Sequence, residues 1–242
     1  MNRTHRIGLG HVGFPLRELR GLKTLGPLSI WVMCATSILV GTSCIPESQP
    51  LPAKDSPTEA MRTTVSQALG VLQDQELKKP EYTDERVTHL KQIADARFDY
   101  REMAKRSLGG QWDKLAERER QEFVDLFTEL LTATYLEQMH AYSGEDVTFL
   151  NERLEGNHAE VKSLLVGKKT EIPMDYRLMK KGDDWKAYDV VVDGISLVRN
   201  YRGQFAAILR SSSYEHLVQA LRDKNAQYNV KTRSSATNTP FH

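Results

Sequence analysis

The sequence predicts an α+β fold in which a helical layer packs against a four-stranded antiparallel sheet. Apolar residues recur every three or four positions from Thr58 to Tyr142, as on one face of a helix, and then alternate with period two from Val147 to Val192. Short turn sequences such as 181–184 (KGDD) separate the strand segments, so consecutive strands are expected to pair as an antiparallel meander. A sheet with one apolar face requires a cover of helices.

The limits of the helices are predicted from caps and breakers. Turn residues, glycines and the changes of period give the boundaries. Helices are expected from Thr58, from Thr83 to Gly109, from Leu115 to Tyr142, after Gly194, and from Tyr214 to Asn225.

Residues 1–44 have the composition of a secretory signal. Five basic residues and one acid precede an apolar run at 28–40 (LSIWVMCATSILV), and the small residues of 41–43 follow it. The run is too short to cross a bilayer, which takes about 20 apolar residues. A buried N-terminal helix or strand is the alternative interpretation. The segment 45–57 that follows is polar and rich in proline, which is typical of a linker rather than of the continuation of a core element. We therefore expect an exported protein.

The two cysteines leave the processing route open. Cys34 lies inside the apolar run, whereas Cys44 stands where a bacterial lipoprotein carries its acylated cysteine. Gly41 occupies a position where lipoprotein signals have Leu, Val or Ile, and Gly41 with Ser43 also suits ordinary signal peptidase. On either route no internal disulfide remains, so the mature fold is held by its apolar core.

The remaining chain divides into a linker at 45–57, a single domain at 58–226 and a polar C-terminal tail at 227–242, which is expected to be loose. Removal of residues 1–44 leaves 28 basic and 31 acidic residues, a net charge of −3. Nucleic-acid binding requires a clustered basic surface, so this balance argues against it. A mean hydropathy of −0.50 excludes a polytopic membrane protein.

The sequence shows no catalytic or metal-binding motif. None of the seven histidines has a histidine partner three or four positions away, and no HExxH, P-loop, GxGxxG or GxSxG pattern occurs. We therefore expect no catalytic residues, no metal and no cofactor. Asp189 and Asp193 are expected to be a solvated strand residue and a helix cap. The competing hypothesis is an enzyme that uses one of these carboxylates with Tyr176 to hydrolyse a lipid or a glycoside.

Several blocks of the sequence resemble the MlaC family, also called the toluene-tolerance or organic-solvent-tolerance auxiliary family. They are 98–104 (FDYREMA), Trp112, Glu122 to Tyr135, 175–178 (DYRL), 185–190 (WKAYDV) and 193–202 (DGISLVRNYR) with Gln204 and Phe205. The resemblance covers residues 58–226. One departure is Ala116, where a Ser or Thr cap would be expected before the third helix.

The resemblance implies a periplasmic phospholipid-binding protein of a Gram-negative bacterium. Such a protein carries glycerophospholipids between an outer-membrane lipoprotein–porin complex and an inner-membrane ABC transporter with an MCE-domain ring, which maintains outer-membrane lipid asymmetry. The phospholipid is cargo rather than a cofactor, and its tails occupy an apolar cavity between sheet and helices. A hopanoid-associated carrier and a non-transporting envelope adaptor lipoprotein anchored at Cys44 are the alternatives.

The predicted cavity lining takes apolar residues from facing elements, although ordinary core packing would account for each of them singly. Arg199 and Arg202 are expected near the entrance or at a partner surface, or as plain exposed helix charges. The predicted lipid-binding residues are Leu131, Tyr135 and Met139 of the third helix, Val147, Phe149, Tyr176, Val190 and Val192 of the strands, and Ile195, Val198, Tyr201 and Phe205 after the last strand.

Overall fold

The computed structural model describes residues 56–139, 142–168 and 170–237, with side chains at 56–135, 142–168 and 170–228. Within these residues the α+β class predicted from the sequence is confirmed. The helices are α1 (Pro57–Gln73), α2 (Thr83–Arg97), α3 (Tyr100–Leu108), α4 (Glu117–Met139), α5 (Leu197–Ser211) and α6 (Tyr214–Thr237). The strands are β1 (Asp146–Glu155), β2 (His158–Val166), β3 (Glu171–Lys181), β4 (Asp184–Val192) and β5 (Ile195–Ser196).

The five strands form one antiparallel meander in the order β1-β2-β3-β4-β5. The sequence predicted four of them. The fifth has two residues, and it turns back onto β4 through Asp193 and Gly194. Both turn residues have positive φ, 49° and 77°, a conformation that glycine adopts freely and that aspartate tolerates better than most residues. A strand of two residues is too short to show an alternation of apolar and polar side chains, so it cannot be predicted from that pattern.

The strand register gives the sheet one apolar and one polar face. Val161, Tyr176 and Val190 lie side by side in neighbouring strands, so their side chains project to the same side. Bulges at Leu150 and Tyr188 each insert one residue and keep the apolar residues on this side at both ends of the strands. The apolar face comprises Val147, Phe149, Glu152, Leu154, Ala159, Val161, Ser163, Leu165, Ile172, Met174, Tyr176, Leu178, Trp185, Ala187, Val190 and Val192.

The single helix expected from Thr83 to Gly109 is two helices. The chain is extended at Phe98, which forms a parallel bridge with Ala187 on the β4 edge. Asp99 then caps α3, because its side chain accepts a hydrogen bond from the Glu102 N–H at 3.1 Å. The break therefore attaches the helices to β4, a tertiary contact that local periodicity does not reveal.

The last helix is longer than expected, since α6 continues to Thr237 rather than ending at Asn225. The third predicted helix is slightly shorter than expected: α4 starts at Glu117 and ends at Met139. In the described part of the chain, no helix is long and apolar enough to cross a membrane.

The buried apolar residues form two clusters rather than one. The helical cluster joins α3, α4, α5 and α6 around Phe123, Phe127 and Phe205. The sheet cluster joins Met61 of α1 to the apolar face of the sheet. Phe98 packs against both clusters. A domain of this size usually has one continuous core, whereas the helical and sheet clusters of this domain are separate and share only the half-buried Phe98.

The start of α4 lacks a capping side chain because Ala116 occupies the N-cap position. The Glu119 carboxylate reaches back to accept the Ala116 N–H at 2.7 Å, which is one half of a capping box. The other half requires a hydroxyl that accepts a backbone N–H of the first turn.

We expect Ala116→Ser to raise the free energy of unfolding by about 1 kcal/mol, since a serine hydroxyl can complete this capping box. Urea denaturation measures the change. Ala226→Ser, at an exposed position inside α6, is the control and should lower stability by a few tenths of a kcal/mol. An Ala116→Ser protein no more stable than the parent would contradict this account of the helix start.

Candidate functional site

One end of the apolar face is incompletely covered. At the end that carries Leu178, Ala187 and Trp185, the side chains are buried in the sheet cluster. At the opposite end the side chains are equally apolar but only half-buried. We call this surface the open end; it consists of Val147, Phe149, Leu165, Ile172, Met174, Val190 and Val192.

Helix α1 covers the apolar face along β1. Its apolar stripe starts at Met61, which is only 1% exposed, and continues through Val65, Leu69 and Leu72, which are half-buried. Positions spaced three and four apart share one side of a helix, so these side chains continue along the side that packs on the sheet. The open end and the later turns of α1 thus present facing apolar surfaces that are not fully buried.

Polar contacts fix the start of α1 on β1. The Thr58 N–H and hydroxyl donate to Glu152 Oε2 at 2.9 and 2.6 Å. Glu152 is the carboxylate within the apolar face, and these two hydrogen bonds at a helix N-terminus stabilise its negative charge.

Further along α1, the Arg62 guanidinium lies 4.9 Å from the centre of the Phe149 ring. The Gln73 amide, at the end of the helix, donates to the Tyr142 hydroxyl at 3.0 Å. α1 is therefore held to the β1 side of the sheet at its start, middle and end.

Tyr176 lies between the buried end and the open end of the apolar face. Its ring stacks on Phe149 at 6.4 Å, and its hydroxyl donates to Met174 Sδ at 3.1 Å. Burial raises the pKa of the Tyr176 hydroxyl to about 12, so the residue is neutral at physiological pH. Tyr176 therefore adds no charge beside the open end.

The structure places five of the predicted lining residues on the apolar face: Val147, Phe149, Tyr176, Val190 and Val192. Tyr176 is buried and the other four belong to the open end. Leu165, Ile172 and Met174 belong to the same surface and are not among the residues predicted from the sequence. The strand register would have identified these three residues, because Leu165 is paired with both Val147 and Ile172.

A second group of predicted residues, Leu131, Val198, Tyr201 and Phe205, lies in the helical cluster. Tyr201 meets the Phe127 ring edge-on at 5.0 Å and Phe205 lies 5.6 Å from Tyr201, so these rings pack against one another. Burial raises the pKa of Tyr201 to about 12. The structure thus separates this group from the five residues on the sheet.

The remaining predicted residues are Tyr135, Ile195 and Met139. Tyr135 packs at the border of the helical cluster, where burial raises its pKa above the usual range. Ile195 is 46% exposed and belongs to neither cluster. The side chain of Met139 lies outside the described residues. A lipid contact of any of the twelve residues stays a prediction.

Asp189 is not the solvated residue that the sequence predicted. It is 3% exposed on the polar face, where it accepts hydrogen bonds from the Ser196 hydroxyl at 2.6 Å and the Val198 N–H at 3.0 Å. The Arg177 guanidinium pairs with the same carboxylate at 3.1 Å. The cap of α5 is Ser196 rather than Asp193, because the Ser196 hydroxyl accepts the Arg199 N–H.

The structure does not bring together the groups of the competing enzyme hypothesis. Tyr176 projects from the apolar face, whereas Asp189 projects from the polar face of the sheet. Asp193 lies in the exposed turn before β5. In the described part of the chain, no group of three or more His, Cys, Asp or Glu side chains could hold a metal ion.

The two arginines expected near an entrance are exposed on α5. The Arg202 guanidinium lies against Gly109 at the end of α3, where an added Cβ would meet its Nε at 3.1 Å. A groove between α4 and α6 is lined by charged residues that include Glu117, Glu122 and Arg222. Such a surface does not shelter an apolar ligand, so the open end is the better candidate site.

Comparison with known proteins agrees with this architecture. The sequence model of the family described as MlaC protein matches residues 62–223, about two thirds of the chain. No curated protein matches the sequence. A similar solved structure is the phospholipid-binding protein from Ralstonia solanacearum in complex with a phospholipid. Its sequence is 25% identical to this one, and the two structures superpose with a TM-score of 0.62. The match covers 71% of this chain and 97% of the Ralstonia chain. The chain belongs to the MlaC family.

Proposed function

We propose that this protein binds a phospholipid with its acyl chains against the open end of the apolar face. The observation that carries the proposal is that this end is wholly apolar yet only half-buried, whereas Leu178, Ala187 and Trp185 at the other end of the same face are buried. The relative from Ralstonia solanacearum, which was solved with a phospholipid, supports the ligand class.

The energetics favour a carrier rather than a catalyst. Burial of acyl methylenes is worth about 0.8 kcal/mol each, so two chains with about fifteen buried methylenes apiece require roughly 24 kcal/mol of shelter from water. A bilayer offers nearly the same shelter, so exchange between protein and membrane has a small net free energy. Direction must then come from partner proteins, and the binding protein itself needs no catalytic residues.

We further propose that the protein works in the periplasm of a Gram-negative bacterium. There it would carry glycerophospholipids between an outer-membrane lipoprotein–porin complex and an inner-membrane ABC transporter with an MCE-domain ring, and so maintain outer-membrane lipid asymmetry. Membership of the MlaC family and the signal-like composition of residues 1–44 support this assignment.

Two measurements on the protein purified from its native periplasm test the proposal. Solvent extraction followed by mass spectrometry identifies the co-purified molecule, and we expect about one phospholipid per protein. Transfer of a fluorescent phospholipid between donor and acceptor vesicles should accelerate in proportion to protein concentration.

The outcomes separate the alternatives. A hopanoid in the extract would favour the hopanoid-associated carrier. Protein without extractable lipid and without transfer activity would overturn the carrier in favour of the envelope adaptor. If phospholipid is bound but no transfer between vesicles is measured, the protein binds phospholipid but does not carry it between membranes.

A further inference from the structure

Among the described residues, β1 is an edge strand, because it pairs with β2 on one side only. It has ten residues, whereas strands average about five or six. In the described residues, no backbone hydrogen bond joins its outer side to another segment. Soluble proteins usually blunt such an edge, since unpaired N–H and C=O groups can pair with a strand from another chain.

The side chains of β1 make this edge suited to a partner. Leu150 and Leu154 are 54% and 55% exposed and are the most exposed of the large apolar side chains described. The bulge at Leu150 divides the edge and leaves the regular stretch Asn151–Glu155, which contains Leu154 and directly follows Leu150. On the other side of the bulge, Val147 and Phe149 of the same strand belong to the open end.

The charge of this segment decides among the occupants. Residues 145–155 carry four acids, Glu145, Asp146, Glu152 and Glu155, and one base, Arg153. Arg153 pairs with Glu155, and Glu152 accepts hydrogen bonds from Thr58, but the segment as a whole keeps more negative than positive charges. Antiparallel pairing of β1 with β1 of a second copy would bring two acidic strands together, which like-charge repulsion disfavours. A strand with basic side chains is complementary to this edge.

We propose that the outer edge of β1 is a docking site for an extended basic segment of another protein, which adds to the sheet as a further strand. Backbone hydrogen bonds to β1 provide the pairing, and apolar side chains of the segment cover Leu150 and Leu154. A segment docked there lies along the second half of β1, across the bulge from Val147 and Phe149 of the open end.

The probe is an end-capped synthetic peptide of eight alternating lysines and valines, added to the full exported protein. Binding is measured by fluorescence anisotropy, and hydrogen exchange reports the protection of each backbone amide. A second peptide of the same sequence, N-methylated at every backbone amide, keeps the charges and side chains but cannot pair as a strand.

We expect the unmethylated peptide to bind at least tenfold more tightly than the methylated one and to protect amides of β1 against exchange. Double replacement of Leu150→Lys and Leu154→Lys should weaken binding at least tenfold, because it adds positive charge and removes the apolar contacts. Ile195→Lys, at an exposed apolar position outside this strand, is the matched control and should leave binding unchanged.

Three results would overturn the proposal. If both peptides bound with equal affinity, charge attraction alone would account for the binding, without strand pairing. Equal binding to the double variant and to Ile195→Lys would place the peptide elsewhere. Protection of the β1 outer amides before any peptide is added would show that residues preceding Ser56, or a second copy, already occupy the edge. None of these readouts involves lipid, so they are independent of the phospholipid proposal.

Discussion

Replacement of Val147 with glutamate is expected to lower the amount of co-purified phospholipid at least tenfold. Val147 lies at the open end, where an acyl chain would contact its side chain. A carboxylate there would have to lose water or acquire a proton when the lipid binds, at a cost of several kcal/mol, and each 1.4 kcal/mol corresponds to a factor of ten in affinity. Since Val147 is only half-buried, the protein should still fold.

Thr148→Glu is the matched control. It introduces the same charge one residue along the same strand, but on the exposed, opposite side of the sheet. Lipid content, determined by solvent extraction and mass spectrometry against protein concentration, should stay at the wild-type value. Equal lipid content in the two variants, with both folded by circular dichroism, would remove the open end as the binding surface.

Asp189→Ala is expected to lower the free energy of unfolding by about 3 kcal/mol. The buried carboxylate accepts hydrogen bonds from Ser196 and Val198 and pairs with Arg177, so its removal leaves a buried hydroxyl and a backbone N–H without this acceptor. Hydrogen bonds to a charged group contribute about 1.5–3 kcal/mol each, and the partial exposure of Arg177 reduces the share of the ion pair.

Urea denaturation with a common m-value measures this change. Asp193→Asn is the control, since Asp193 is exposed and asparagine tolerates its positive φ; stability should change by less than about 0.5 kcal/mol. An Asp189→Ala protein as stable as this control would show that the carboxylate does not hold β4 to the start of α5. The folded fraction should retain its lipid, because Asp189 projects from the polar face.

Local patterns in the sequence predicted most of the helices and strands and part of the candidate site, but not β5 or the break at Phe98. Alternation from Val147 to Val192 depends only on the period of an extended chain, so it placed Val147, Phe149, Tyr176, Val190 and Val192 correctly on one face of a sheet. Helical spacing likewise identified the apolar side of α1 from Met61 onward. The sequence blocks that begin at Phe98 and at Trp185 resemble the MlaC family, and the family comparison confirms this assignment.

Tertiary structure decided which apolar residues are packed and which are left half-buried. Periodicity assigns Phe205 and Val190 the same apolar character, but only the packing of helices around Phe127 buries the first, and only the incomplete cover over the sheet leaves the second half-buried. The register that adds Leu165, Ile172 and Met174 to the open end, the break at Phe98 and the burial of Asp189 also depend on contacts between distant segments. The sequence by itself determined most of the elements and their apolar sides, because these follow from backbone geometry within a few residues. The open end required the tertiary structure, because the burial of a side chain depends on residues far apart in the chain.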